Sequence, residues 1–209
     1  MISRSFLIAT TLSLMVASAF AQTPAQAPAT SPAASPVAAA TVQRDANQQA
    51  RIESGLKDGS LSTREAGRLE SAEARVDRLQ AKDLKDGKLT PAERTQLTRA
   101  QNKVSHQIAV DKHNNVTGNP NSASSQRMQA DVARNANQEA RVASGLRSGE
   151  LTKHEAAKLE GGQAVVDRKE AAAASNGHVG RAEQRNIQRT ENRQSKRIHR
   201  EKTDAQTRG

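Results

Sequence analysis

The chain has 209 residues, carries a formal net charge of +10 and contains no cysteine, tryptophan or tyrosine. The lack of cysteine excludes disulfides, thiolate catalysis and cysteine-ligated metal sites. Phe6 and Phe20 are the only aromatic residues. The chain beyond residue 20 therefore lacks the aromatic platforms on which single-stranded nucleic acids usually stack.

The first 21 residues are typical of an export signal. Arg4 precedes an apolar stretch from Phe6 to Val16, and Ala19-Phe20-Ala21 forms a cleavage site with small residues at its two key positions. The apolar stretch is shorter than the roughly 20 residues needed to span a bilayer. We therefore expect cleavage near Ala21, a periplasmic or secreted mature protein and no transmembrane segment; an uncleaved anchor is the alternative.

Residues 22–40 are predicted to form a linker. Pro24, Pro28, Pro32 and Pro36 recur at every fourth position among Ala, Ser, Thr and Gln. This composition favours an extended or disordered chain. Beyond this disordered N-terminal segment, the patterns predict helices.

An internal duplication organises the rest of the chain. Residues 44–113 recur at 134–203, shifted by 90 positions without a gap. We therefore predict an all-α fold with two tandem copies of a three-helix unit built from helix-turn-helix hairpins. The copies cover residues 41–113 and 128–203, with a linker over 114–127 and a disordered tail over 204–209. The six helices are expected near 43–58, 63–86, 91–113, 128–148, 153–175 and 181–203.

The predicted turns between helices share one pattern, in which a glycine precedes a hydroxyl residue that is followed three positions later by glutamate. This is the capping box, where the hydroxyl caps the new helix and the glutamate side chain bonds back to the cap. The pairs are Ser62 with Glu65, Thr90 with Glu93, and Thr152 with Glu155. In the fourth turn Gly180 replaces the hydroxyl residue.

The same turns resemble the second half of an EF-hand calcium loop. Its ligands here would be Asp58, Glu65, Asp86, Glu93 and Glu155. Calcium needs six or more oxygen ligands, and the first half of the loop places leucine or lysine at ligand positions. A degenerate EF-hand-like binder of divalent cations is therefore the alternative function, and helix capping explains the same residues without a metal.

The unit Gly-Leu-x-x-Gly-x-Leu-Ser/Thr-x-x-Glu occurs at residues 55–65 and 145–155, and in part at 84–93. It resembles the repeated helical unit of a group of exported proteobacterial proteins that have no established activity. The resemblance covers about residues 44–113 and 134–203. It implies a helical architecture and export, and it implies no reaction.

The last predicted helix is strongly basic. Six arginines recur at steps of three or four residues, so they form a ridge along one helix: Arg181, Arg185, Arg189, Arg193, Arg197 and Arg200. Guanidinium groups pair well with phosphate and carboxylate. The leading functional prediction is therefore an exported protein that binds an anionic macromolecule or envelope surface through this helix. A solvated, partly disordered tail is the alternative.

Nothing in the sequence predicts catalysis. Nucleophile elbows and phosphate-binding glycine loops are absent. Acidic residues alternate with basic ones, as is typical of solvated helix faces. His106 and His113 could share a helix face beside Asp111, but Lys196 and Thr203 replace them in the second copy, so we expect solvated histidines. We predict a non-enzymatic protein without a cofactor, and self-association is left open.

Overall fold

A computed structural model describes residues 35–203, which contain helices and no strand. The helices are α1 (Pro36–Asp58), α2 (Thr63–Asp83), α3 (Pro91–Lys112), α4 (Ala123–Ser148), α5 (Lys153–Ala174) and α6 (Arg181–Thr203). The all-α prediction with two three-helix units is confirmed. The predicted signal peptide, the linker up to residue 34 and the tail over 204–209 lie outside the described residues.

None of the helices between residues 35 and 203 is both long enough and apolar enough to cross a membrane.

The three predicted capping boxes are present. The Glu65 carboxylate accepts a hydrogen bond from the Ser62 backbone amide at 2.9 Å, and the Ser62 hydroxyl caps α2 in return. Equivalent bonds of 2.8 and 2.7 Å begin α3 and α5. In the fourth turn the Glu183 carboxylate still accepts from the Gly180 amide at 2.7 Å, so half of the box persists there.

Helix α1 begins at Pro36, seven residues before its predicted start, so residues 36–40 are helical and the predicted linker over 22–40 is too long. A proline is tolerated in the first turn because its missing N–H would have no helical partner there. Ala38, Ala39 and Val42 are buried in a cluster that includes Leu146 of α4. Packing on the second copy therefore extends the helix.

Helix α4 also begins early, at Ala123 where residue 128 was predicted. The Ser122 hydroxyl accepts a hydrogen bond from the Ser125 amide at 3.1 Å and so caps the helix. Met128 and Val132 are buried in the cluster that contains Leu56 of α1. The linker predicted over 114–127 is shortened accordingly.

The two copies share one four-helix core made of α1, α2, α4 and α5. Helices α1 and α4 are antiparallel, because the Ser35 amide donates to the Leu146 carbonyl at 2.8 Å and Gln129 donates to the Leu56 carbonyl at 3.2 Å. Helix α2 runs beside α5 in the same way. Helix α3 covers α1 and α2, and α6 covers α4 and α5.

A pseudo-two-fold axis relates the copies, since contacts recur after a shift of 90 residues. Arg51 Nη1 donates to Ser105 Oγ at 2.8 Å, and Arg141 Nη1 donates to Ser195 Oγ at 2.9 Å. The axis exchanges α1 with α4 and α2 with α5. Any feature of the core therefore has a counterpart 90 positions away.

Apolar side chains fill the two ends of the four-helix core. One end holds residues from the C-terminal half of α1 and the first part of α4, such as Leu56 and Met128. The other end holds residues from the start of α1 and the C-terminal part of α4, such as Val42 and Leu146. The middle of the core is polar.

Candidate cation-binding site

The polar middle of the core consists of eight carboxyl and four amide side chains, each at most 2% exposed. We call this set the acidic chamber. Helices α1 and α2 contribute Asp45, Gln49, Glu70, Glu73, Asp77 and Gln80; their counterparts on α4 and α5 are Asn135, Glu139, Glu160, Gln163, Asp167 and Glu170.

Helical spacing places these residues in the interior. Glu70, Glu73, Asp77 and Gln80 follow one another at steps of three and four residues, so they share one face of α2. A stripe of apolar residues that includes Leu69 and Val76 lies one position earlier on α2 and therefore about 100° around the helix. Helix α2 consequently buries two faces, an apolar one towards α3 and an acidic one towards the other core helices.

Three carboxylates converge in the first half of the chamber, which we call site A. Asp45, Asp77 and Glu160 each place one oxygen within 4.8 Å of the others. Gln80 Nε2 donates to Asp45 Oδ2, and Gln101 of α3 donates to Asp45 Oδ1 at 2.7 Å. Site A thus draws on both copies, with Glu160 supplied by α5.

Site B is the counterpart of site A and consists of Glu70, Asp167 and Glu170, again with one oxygen from each within 4.8 Å. The shift of 90 residues relates Asp77 to Asp167 and Glu160 to Glu70. The position of Asp45 and the position of Gln80, which donates to Asp45, differ between the copies, because an acid in one copy is replaced by an amide in the other or the reverse. Asn135, the counterpart of Asp45, donates to Asp167 Oδ1, while Glu170 stands where site A has Gln80.

The second layer of each site repeats this exchange. Glu73 and Glu139 lie beside site A, where each is repelled by one of its carboxylates, Asp45 and Glu160 respectively. Their counterparts beside site B are amides. Gln163 donates to Asn135 Oδ1 at 2.6 Å, and Gln49 donates to Glu70 Oε2 at 2.9 Å.

Site A with its neighbours therefore holds five carboxyl groups and one amide, whereas site B with its neighbours holds three of each. Asp77 and Asp167 are close enough to influence each other's pKa, and they join the two sites across the pseudo-two-fold axis. The chamber is continuous, and its negative charge is concentrated on one side.

Many oxygen atoms of the chamber have no hydrogen-bond donor. Both carboxylate oxygens of Glu73, Glu160 and Glu170 lack a partner, and so do the amide oxygens of Gln49, Gln80 and Gln163. Within residues 35–203 no Lys, Arg or His side chain forms an ion pair with any of the eight carboxyl groups. Buried polar groups are normally satisfied, so this arrangement calls for a ligand.

The electrostatics of the chamber favour bound cations or bound protons. Burial raises the pKa of Asp45 to about 7, although hydrogen bonds from Gln101 and Gln80 oppose the shift. Burial likewise raises the pKa of Asp167 to about 7. The six other carboxyl groups have their pKa values raised well above the usual range by burial and neighbouring carboxylates. A multivalent cation would replace these protons.

A second pair of buried acids lies between α4 and α6. Burial raises the pKa of Asp131 to about 7 and that of Glu191 to about 8. Arg134 Nη1 approaches Glu191 Oε2 to 3.6 Å, so this pair has an ion-pair contact of the kind that the chamber carboxyl groups lack.

The carboxylates of the EF-hand-like prediction lie at the turns and helix starts, outside both sites. Asp58 accepts from the Ser60 amide at 2.9 Å, and Asp86 accepts from the Lys88 amide at 2.8 Å. Glu65, Glu93 and Glu155 cap helices. None of the five belongs to site A or site B.

Glu65 illustrates how differently a capping carboxylate behaves from one in the chamber. Burial acts to raise its pKa, but hydrogen bonds from Asn114 and Ser62 outweigh burial and lower the pKa below its usual value. Asn114 Nδ2 donates to Glu65 Oε1 at 2.8 Å. The donors are present here, so this carboxylate is already satisfied.

The expectation that acidic residues lie on solvated helix faces is wrong for the eight chamber residues. The sequence does carry a signal for them. Glu70 and Asp77 recur unchanged as Glu160 and Asp167, and the intervening steps of three and four residues are the same in both copies. An acidic stripe that recurs at helical spacing in both copies, beside an apolar stripe, indicates a second buried face of the helix.

The six arginines of the predicted anion-binding ridge are all exposed on α6. Arg193, Arg197 and Arg200 line a groove of about 480 Å³ between α5 and α6, together with Lys196. The other three arginines lie outside this groove. Helix α6 is continuous from Arg181 to Thr203, so the alternative of a partly disordered tail does not describe this segment.

His106 and His113 are exposed on α3, as expected for solvated histidines. His113 Nδ1 lies 2.7 Å from the Ala109 carbonyl oxygen, within its own helix.

Comparison with known proteins adds no assignment, because no family model, curated protein or solved structure matches this chain. A functional conclusion therefore depends on the geometry of the described residues.

Proposed function

We propose that the protein binds two multivalent, oxygen-ligated cations inside the acidic chamber, one at site A and one at site B, with Ca²⁺ as the leading candidate. One observation carries the proposal. Three carboxylates converge within 4.8 Å at each site, while both oxygens of Glu160 at site A and of Glu170 at site B have no donor.

Cations are the partners that this chamber lacks. An ionised carboxylate buried without a counter-charge costs several kcal/mol even after the surroundings relax. Eight such groups in one core require either protons or cations, since no basic side chain pairs with them. Cations bound at A and B would neutralise charge at both sites and use the oxygens that have no donor.

The donor set favours hard cations. Carboxylate and amide oxygens suit Ca²⁺, Mg²⁺ and Mn²⁺, whereas Zn²⁺ and Cu²⁺ prefer imidazole or thiolate ligands. Among these cations, Ca²⁺ tolerates flexible coordination by six to eight oxygens, and Mg²⁺ retains several waters. A chamber with twelve buried oxygen-bearing side chains offers enough protein ligands for Ca²⁺ and fits that ion better.

The chamber also differs from the di-iron sites of four-helix bundles. Those sites combine glutamates with a Glu-x-x-His motif on two helices. The corresponding segments here are Glu70-x-x-Glu73 and Glu160-x-x-Gln163, which offer no imidazole. This difference supports binding of a redox-inert cation over oxygen chemistry.

The proposed role is binding, and export after cleavage near Ala21 remains part of the proposal. An exported protein would meet the higher calcium concentrations at which extracellular modules bind this ion. Cation binding was the alternative function predicted from the sequence. The ligands proposed here lie in the core and not in the turns.

The test measures Ca²⁺ bound to the purified protein by equilibrium dialysis. The double variant Asp77→Asn with Asp167→Asn removes one carboxylate from each site and should abolish binding at both. Because both changes remove buried negative charge, we expect the variant to remain helical by circular dichroism. Failure of the unmodified protein to bind Ca²⁺, Mn²⁺ or La³⁺ would contradict the proposal.

A matched control separates the chamber from the turns. Glu93→Gln changes a partly exposed capping carboxylate that belonged to the EF-hand-like prediction. The chamber account expects unchanged Ca²⁺ binding in this variant. If Glu93→Gln lost binding while the double chamber variant kept it, the ligands would lie in the turns.

A second candidate function is binding of an anionic macromolecule or envelope surface through α6, and the groove beside Arg193, Lys196, Arg197 and Arg200 favours it. Four cationic side chains along one groove attract phosphate and carboxylate groups. Such binding should weaken steeply as salt is added.

Inorganic polyphosphate is a suitable probe for this second function. Arg193→Gln with Arg197→Gln removes two cations from the groove and should weaken binding by about tenfold at low salt. The control removes the same charge from α3, by Arg99→Gln with Lys103→Gln, and should have little effect. Equal losses from the two pairs would indicate a response to net charge alone.

A further inference from the structure

A groove of about 620 Å³ runs between α2 and α3 on the surface of the first copy. Its floor is apolar and consists of Ala72, Val76, Leu79, Ala100 and Val104. Leu79, Ala72 and Ala100 remain partly exposed, because no other element of the described chain covers them. The groove belongs to neither the acidic chamber nor the arginine ridge.

The equivalent groove of the second copy has a polar floor. Lys169, the counterpart of Leu79, donates to Asn186 Oδ1 at 2.6 Å and to Thr190 Oγ1 at 2.7 Å. Gln194, the counterpart of Val104, donates to the Leu159 carbonyl at 2.7 Å. It also fills the space where a Cβ on Gly162 would lie. The second copy thus closes its floor with its own hydrogen bonds.

Cationic side chains border the apolar groove of the first copy. Arg68, Arg75 and Lys103 line it, and the one carboxylate in the lining, Asp111, accepts a hydrogen bond from Gln107 at 2.8 Å. Arg75 and Lys103 take part in no ion pair within residues 35–203, and Arg68 approaches Glu65 only to 3.7 Å with its side chain 60% exposed. An apolar floor with a positive border complements a molecule that has an apolar body and an anionic head.

We propose that the α2–α3 groove binds a medium-chain fatty carboxylate, a single acyl chain with a free carboxylate head. The chain would lie on Val76, Leu79 and Val104, and the head would pair with Arg75 or Lys103. Guanidinium and ammonium groups bind carboxylates through charge-assisted hydrogen bonds. Covering the apolar floor removes it from water, which supplies the non-specific part of the affinity.

The dimensions favour one chain. The volume lies inside the range of about 300–1,000 Å³ that is typical of small-molecule sites. From Arg68 to Leu79 the helix rises by about 16 Å, at roughly 1.5 Å per residue. One extended acyl chain of medium length fits this span beside a single row of floor residues.

The experiment is a calorimetric titration of the purified protein with monomeric laurate, repeated with dodecyltrimethylammonium and with octanoate. We expect laurate to bind with one molecule per chain. The cationic amphiphile should bind at least about tenfold more weakly, because Arg75 and Lys103 repel its head. Octanoate should also bind more weakly, because it buries less apolar surface.

Two variants are paired with controls in the other copy. Leu79→Lys places the residue of the second copy in the groove and should weaken laurate binding at least about tenfold. Lys103→Gln should weaken it by a smaller factor, while Arg193→Gln at the equivalent position should leave it unchanged. Circular dichroism of each variant verifies that the helices persist.

Three results would overturn the proposal. Laurate and the cationic amphiphile could bind equally, Leu79→Lys could leave affinity unchanged, or the protein could bind phosphatidylglycerol vesicles without binding monomeric laurate. The last result would assign the surface to a membrane and not to a free carboxylate.

Discussion

Sites A and B are built from equivalent positions of a duplicated chain, yet they differ in charge. Site A together with its neighbouring side chains has five carboxyl groups, and site B with its neighbours has three, because acid and amide are exchanged at four pairs of positions. The pairs are Asp45 with Asn135, Gln49 with Glu139, Glu73 with Gln163, and Gln80 with Glu170.

The positions that are the same in both copies define the geometry of the sites, and the exchanged positions are expected to set the affinity of each site for a cation. Glu70 with Glu160 and Asp77 with Asp167 are the same in both copies, and each site receives one member of each pair. The exchanged positions keep a polar side chain of similar size while changing its charge. The two sites should therefore share a geometry and differ in the strength of cation binding.

The largest expected effect is on the pH dependence of stability without cations. The chamber carboxyl groups have pKa values raised by burial, to about 7 for Asp45 and Asp167. The folded protein then holds more protons than the unfolded chain between about pH 4 and pH 7, so stability falls as pH rises through this range. We expect a loss of several kcal/mol by pH 8.

Thermal melts followed by circular dichroism, with a chelator present, would measure this loss. The lowered pKa values of Asp58 and Glu65 act in the opposite direction, but they concern two groups and not eight. Glu73→Gln with Glu139→Gln copies the amides of site B into site A and should flatten the dependence. A stability that rose between pH 5 and pH 8 would contradict the account.

The next effect separates the two sites by a matched pair of variants. Glu160→Gln removes a carboxylate from site A, and Glu70→Gln removes its counterpart from site B. We expect Glu160→Gln to weaken the tighter binding step by about a hundredfold and Glu70→Gln to weaken the second step. Calorimetric titration with Ca²⁺ resolves the steps, and identical effects on both steps would show that the sites are not distinct.

A smaller effect is expected from making the sites alike. Gln49→Glu with Gln163→Glu gives site B the two extra carboxyl groups that site A has. Because added negative charge strengthens attraction for a cation, we expect site B to bind about tenfold more tightly above pH 8. The same variant should be less stable without cations, so a gain in stability under chelation would argue against buried charge at these positions.

The smallest expected effect is a loss of stability at the turns, where both copies have the same capping box. Ser62→Ala and Thr152→Ala remove equivalent caps of α2 and α5. Loss of such a cap costs about 1 kcal/mol, and we expect equal losses in urea unfolding with Ca²⁺ binding retained. A much larger loss for one cap would indicate that the two turns are not equivalent.

The sequence predicts the turns well because their determinants are local. A hydroxyl residue followed three positions later by glutamate specifies the start of a helix by itself, and Gly59 and Gly149 take the left-handed conformation that ends the preceding ones. The sequence does not predict where α1 begins. Residues 36–40 are helical because Ala38 and Ala39 pack on the other copy.

The chamber was also not predicted, because it too depends on packing between the two copies. Glu70 and Asp77 lie on a helix whose neighbouring positions include Arg68, Arg75 and Arg78, and that alternation is typical of a solvated surface. Only the packing of α2 on α5 decides that one side faces the core. Gly67 permits that packing, since a Cβ there would lie 2.6 Å from the Ala174 Cβ.

The most direct test of the central claim is anomalous diffraction from crystals of the protein grown with Mn²⁺ or Tb³⁺. The account predicts two peaks in the four-helix core, one bounded by Asp45, Asp77 and Glu160 and the other by Glu70, Asp167 and Glu170. The peak at site A should have the higher occupancy. Peaks only at the helix-capping turns, or a core without a peak above pH 8, would contradict the account.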